Sequence, residues 1–259
     1  MHEPIWDQLT GDELQLDVQL RQLLHSNSKR AVFRADYLDA TENVCEVLVR
    51  FFLEDITHQG ERVSRFLEAK YFEHPHLLRY LETGTLEREQ GTLTYAVTEL
   101  GDVWVSESLA AEEALRFAQH VLSGLEYLHS RNLVYCVLSP DTVVPIGSDW
   151  KLSDFSELRV AGTDTGEETL SLRRTWDTCP PEAAQGLISP AWDVWAFGQT
   201  LRKVLTDYQA KLPDPFRGVL LACLNINPAS RPTLSQLCGL LETTGPGDRE
   251  TDLSTAASA

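Results

Sequence analysis

The sequence has no run of about eighteen apolar residues, so nothing in it reads as a membrane-spanning helix. It has no CxxC pair, no internal repeat and few basic side chains. Its 22 lysines and arginines face 39 aspartates and glutamates, a formal net charge of -17. A surface of that sign repels a phosphate backbone, which argues against nucleic acid as a partner. The five cysteines, Cys45, Cys136, Cys179, Cys223 and Cys238, are scattered and odd in number. That spacing suits neither a zinc site nor a redox dithiol, and it fits reduced thiols in a cytoplasmic setting. The opening MHEPIWDQLT lacks the basic and apolar regions of a signal peptide.

What is present is the material of a globular chain: 259 residues, 42% hydrophobic and 24% charged. That length suits one large domain or two lobes with a substantial core. Residues 14–24 fit both a helical stripe and a strand alternation. The runs at 31–38 and 44–52, joined by the turn-rich DATEN, read as strands, and so do LLRYLETG and TLTYAVTEL on either side of Gly91. Between them, residues 59–73 read as one short helix. The first hundred residues are therefore expected to be mostly β. Beyond them, residues 110–130 carry Leu115, Ala118, Leu122, Leu125 and Leu128 on one side of a long amphipathic helix. Short strands are expected at 142–146 and 150–153. A Thr-rich segment without periodicity spans 154–190, and helices are expected at 190–205, 214–224 and 233–242. Residues 243–259 are small and polar and read as a disordered tail or linker.

Six local stretches, in order, resemble the eukaryotic-type protein-kinase family. HPHLLRYLETG resembles the segment after the regulatory helix, and GLEYLHSRNLV the end of the helix before the catalytic loop. KLSDFS resembles the strand ending in DFG, and Cys179-Pro180-Pro181-Glu182 the APE element. DVWAFG at 193–198 resembles the DVWSFG helix, and Asn227-Pro228 through Arg231-Pro232-Thr233 the NPxxRPT element. The resemblance covers roughly residues 14–242. It implies an α+β, two-lobed protein-kinase-like fold, with a β-rich N-lobe at 14–98 after a leader at 1–13, and an α-helical C-lobe at 99–242.

The same alignment leaves most catalytic positions without their chemistry. The three phosphate-loop glycines become His25, Asn27 and Arg30, where a Cβ stands in the way of backbone approaching phosphates. The lysine position holds Arg50, and Leu48 takes the place of the alanine that lies against adenine in the family. The catalytic loop reads LVYCVLSPDT. It puts Tyr135 at the histidine, Cys136 at the arginine, Val137 at the catalytic aspartate, Ser139 at the lysine and Thr142 at the metal-binding asparagine. Valine cannot accept a proton, and a neutral threonine is a poor Mg²⁺ ligand. Asp141 falls one residue before the metal position and is not assigned as a substitute base.

The resemblance implies that Arg50, Glu68 and Asp154 are vestiges of the nucleotide site, with Asp154 the retained metal ligand. Arg50 is expected to pair with Glu68. Tyr135, Phe155, Glu182, Asp193 and Arg231 are expected to be structural: Tyr135 stacked on Phe155 with Phe72 beside it, Glu182 paired with Arg231, and Asp193 holding the catalytic-loop backbone. Gly198 should permit close helix packing. The expectation is a kinase-like domain without phosphotransfer, a pseudokinase acting as a scaffold or regulatory module for an unknown protein partner. No cofactor is expected. The alternatives are a sensor that binds ATP and Mg²⁺ weakly without transferring phosphate, and a divergent active serine/threonine kinase.

Overall fold

The structure is a computed structural model that describes residues 6, 9, 13–14, 17–26, 30–53, 66–88, 91–101, 108–164, 178–205 and 216–242. Its first part is a six-stranded antiparallel sheet: β1 (Glu13–Leu14), β2 (Val18–Ser26), β3 (Arg30–Leu38), β4 (Val44–Leu53), β5 (Tyr80–Arg88) and β6 (Gly91–Glu99), in the order β1-β2-β3-β4-β6-β5. The ambiguous stretch near residue 20 is thus a strand, because its alternation buries Val18 and Leu20 while Gln19 and Arg21 face water. The DATEN turn between β3 and β4 is held by Asp39, whose Oδ1 accepts from the N–H groups of Thr41 and Asn43.

Alternation along β4 sorts the sheet into two faces. Val47, Val49 and Phe51 join Phe33, Tyr95 and Val97 in one cluster, while Leu48, Arg50 and Phe52 lie on the opposite face. The first cluster also takes in Trp6 and Leu9, 1% and 2% exposed, with the Trp6 ring 6.2 Å from Phe51. The N-lobe core therefore draws on residues expected to form a leader.

Of the helix expected at 59–73, only its end is described. Residues 66–68 are helical and continue into a 3-10 turn at Ala69–Tyr71. Phe66 and Ala69, three apart, face inward.

The second part is helical. α1 (Ala111–His129) buries Phe117, Ala118, Val121, Leu122, Leu125 and Leu128. α2 (Ala191–Val204) and α4 (Leu234–Glu242) pack beside it, and α3 (Phe216–Cys223) packs on α2. Gly198 is required where α2 meets α3: a Cβ there would lie 2.8 Å from Cys223 Cβ. Between α1 and α2 run β7 (Leu133–Val134), β8 (Val143–Ile146), β9 (Asp149–Leu152) and β10 (Arg159–Val160). β8 pairs with β9, and β10 with β7.

The two parts are joined through β9. Leu152 donates to the carbonyl of His76 and accepts from the N–H of Leu78, and Lys151 pairs with Glu99 at 2.7 Å. No helix among the described residues is long and apolar enough to cross a membrane. Asn27, residues 102–107, residues 165–177 of the Thr-rich segment and the tail lie outside the described residues.

Candidate functional site

The loop after β7 is built around Asp193, a carboxylate with no solvent exposure in the first turn of α2. It accepts from the backbone N–H of Tyr135 at 2.7 Å and of Cys136 at 2.9 Å, and its Oδ2 lies 2.7 Å from His129 Nε2. These bonds hold Cys136 at φ +66°, a left-handed conformation costly for a side chain with a Cβ. Asp193 is where the resemblance implied it.

Tyr135 is fully buried. Its hydroxyl donates to the Thr142 carbonyl at 3.2 Å and accepts from the Asp154 N–H at 3.0 Å. Its ring lies 6.0 Å from Phe155, which lies 5.7 Å from Phe72 and 5.0 Å from Tyr80. Phe66 and Phe52 extend this aromatic column into the sheet at 5.7 and 5.1 Å. Edge and tilted contacts of this kind favour the ring quadrupoles and bury large apolar area in both lobes. Burial pushes the Tyr135 phenol well above its ordinary range, so it stays protonated and able to donate.

Val137 has no solvent exposure and packs in the main core. Thr142 follows on a 3-10 turn, Pro140–Thr142. Its hydroxyl accepts from the Ser139 N–H and is within 3.0 Å of the carbonyls of Val137 and Ser139. Ser139 and Thr142 form a reciprocal capping box around this turn. Asp141, between them, is exposed.

Asp154 leads out of β9. Its Oδ2 accepts from Arg30 Nη1 at 2.9 Å, and its Oδ1 from the Ser156 N–H at 2.9 Å. Arg30 also reaches the Ser156 hydroxyl at 3.4 Å and stands 5.3 Å from the Phe52 ring centre. Burial alone would raise the Asp154 pKa. The Arg30 guanidinium, the Ser156 hydroxyl and N–H and the Arg50 charge outweigh it and hold the carboxyl below its usual value.

The expected Arg50–Glu68 pair does not form. Phe66 and Ala69 take the inward positions at that helix end, which leaves Glu68 exposed. Arg50 Nε is buried with no hydrogen-bond partner. Leu48 is 5% exposed, with its carbonyl 3.4 Å from the Thr98 hydroxyl. His25 lies within β2 opposite Val32.

The expected tie in the helical lobe does form. Arg231 contacts Glu182 through two nitrogens at 2.5 and 2.8 Å, with side chains 1% and 10% exposed. It also donates to the carbonyls of Ala191 at 2.8 Å and Asn225 at 2.9 Å and lies 5.0 Å from the Trp195 ring centre.

A β-sheet lobe over a helical lobe, a proline-turn loop anchored by a buried aspartate, and an Asp-Phe pair on an aromatic column define a protein-kinase-type domain. The family model for protein tyrosine and serine/threonine kinases matches residues 18–214. The chain belongs to that family.

Among curated relatives, a human protein named serine/threonine-protein kinase SBK2 is 39% identical over 99 residues, 36% of this chain and 28% of the relative. The rat megakaryocyte-associated tyrosine-protein kinase is 30% identical over 189 residues, 71% of this chain and 38% of the relative. The human non-receptor tyrosine-protein kinase TNK1 is 26% identical over 234 residues, 74% of this chain and 34% of the relative. The chain thus spans well under half the length of these relatives.

Proposed function

We propose that this domain keeps the kinase architecture without phosphate transfer and serves as a protein-binding or regulatory module in the cytoplasm. One observation carries this reading. Asp154, the one metal-ligand position whose residue type survives, is occupied by Arg30, which comes from the position of a phosphate-loop glycine. A guanidinium there takes the place of the cation that an active site would hold, and it stands on the path of the phosphates.

The surrounding residues support the same reading. Val137 offers no proton acceptor, and the Thr142 hydroxyl is committed to loop backbone. Leu48 adds bulk where the family has alanine. These residues do not fit a magnesium–nucleotide complex, so no transfer step is derived through one. The relatives are named as kinases, which makes an active or nucleotide-binding member the reading to test against. Arg50, unpaired at its buried Nε, is the one feature that favours phosphate binding without metal.

The test is thermal melting with and without millimolar Mg²⁺-ATP, beside a radiolabel transfer assay. A competent site at a hundredfold excess over Kd gains about 2.7 kcal/mol, roughly 5–10 °C in a domain of this size. The expected shift is about 1 °C or less, with no transfer. A shift above about 4 °C that vanishes in Asp154→Ala would replace this reading with a nucleotide sensor. A shift that persists without Mg²⁺ would assign the phosphates to Arg50 and Arg30.

A further inference from the structure

Away from the cleft, His76, His120 and Asp149 converge from three separate elements. His76 sits in the loop ahead of β5, His120 on α1, and Asp149 at the start of β9. One donor atom from each lies within 4.8 Å of the others. The imidazoles of His76 and His120 are stacked with centres 3.9 Å apart and 20° between planes. Asp149 Oδ1 is 4.0 Å from His120 Nδ1. The buried Nδ1 of His76 has no hydrogen-bond partner, a costly state for a polar atom that a bound cation would relieve.

We propose that His76, His120 and Asp149 form a binding site for a late first-row divalent cation, with Zn²⁺ the best match. Two imidazoles and one carboxylate suit Zn²⁺, Cu²⁺, Ni²⁺ or Co²⁺ and not Mg²⁺ or Ca²⁺, which take oxygen ligands. Water completes the coordination, as the half-exposed Asp149 allows.

With all sides at or below 4.8 Å, some point lies no more than about 2.8 Å from the three donors. Zinc needs about 2.0–2.2 Å, so each donor closes in by less than about 1 Å. The ion must lie in the plane of each ring that binds it, so the stack has to open. His76, with no hydrogen bond at Nδ1 to lose, is the ring that turns. His120 gives up the Trp150 N–H that its Nδ1 accepts at 3.1 Å, which holds the affinity to a moderate level. Because the His76 carbonyl also receives the Leu152 N–H, an ion here would clamp the junction of the two lobes.

The test is calorimetric titration of the whole reduced chain with Zn²⁺, paralleled by Co²⁺ absorption. The expected result is one equivalent bound, at least tenfold more weakly in Asp149→Asn and not detectably in the His76→Gln/His120→Gln double variant. Circular dichroism melts check that the variants fold. If the double variant does not fold, Asp149→Asn decides alone. No binding, unchanged affinity in Asp149→Asn, or a cobalt spectrum dominated by sulfur charge transfer from the cysteines would overturn the assignment.

Discussion

Replacing Glu182 by alanine should be among the most damaging single changes outside the aromatic column. The wild-type Arg231 side chain is 1% exposed and meets a carboxylate through two nitrogens. Without Glu182 the guanidinium keeps the carbonyls of Ala191 and Asn225 and the face of Trp195. It loses its only counter-charge among the described residues, and it cannot deprotonate to escape. Orphaning a buried charge costs about 3–5 kcal/mol, a large fraction of a total stability on the order of 5–15 kcal/mol. In a domain of this size that corresponds to a fall in Tm of roughly 6–20 °C. Urea denaturation of wild type, Glu182→Ala, Arg231→Met and the double variant gives both the cost and the coupling. The double variant should recover part of the loss, because two apolar side chains leave no bare charge. A cost below about 0.5 kcal/mol for Glu182→Ala, or a double variant that simply adds the two losses, would refute the reasoning.

Other outcomes follow from the same structure. Tyr135→Phe removes the hydroxyl bridge between Thr142 and Asp154 and should cost about 1–3 kcal/mol in urea melts, since the buried Asp154 N–H loses its partner, while the Thr142 carbonyl keeps the N–H and hydroxyl of Ser153. Gly198→Ala places a Cβ against Cys223 and Leu224 and should cost about 1–3 kcal/mol by the same measurement. Arg30→Ala should cost about 1–2 kcal/mol at neutral pH, since a charged hydrogen bond is worth roughly 1.5–3 kcal/mol and Arg30 is 38% exposed to screening solvent. The Asp154 pKa is lowered in the folded state. The pair's stabilisation is therefore present above the ordinary carboxylate range and is lost as pH falls below that range and through the lowered folded value. The gap between wild type and Arg30→Ala should close in melts below about pH 4.

Periodicity carried most of the fold. The helix stripe at 110–130 and the alternation at 44–52 state their structure directly, because one buried face imposes a repeat on the chain. Trp6 and Leu9 carry no repeat, so their burial against Phe51 could not be read locally. The Asp193 anchor, the Glu182–Arg231 tie and the Tyr135–Phe155 stack were legible through the family resemblance, since each sits inside a recognisable motif. The Arg50–Glu68 pairing came from the resemblance of Glu68 to the regulatory-helix glutamate, and it fails because Phe66 and Ala69 take the inward positions and leave Glu68 exposed. The contact of Arg30 with Asp154 joins residues 124 positions apart. No local pattern announces such a pair. The His76–His120–Asp149 cluster was missed for the same reason: its members belong to three elements, and each reads alone as an ordinary polar residue.

The Ser139–Thr142 capping box has a consequence for how the chain can change. Restoring asparagine at position 142 would forfeit the hydroxyl contacts that hold the 3-10 turn. An aspartate at position 137 would sink a carboxylate into the core at a position with no solvent exposure, at a penalty of several kcal/mol. Restoring glycine at position 30 would strip Asp154 of its partner. Each reversal weakens the domain before any of them supplies a working part, and the working parts are of use only together. On the function proposed above, a path to phosphate transfer by single substitutions therefore runs uphill at every first step.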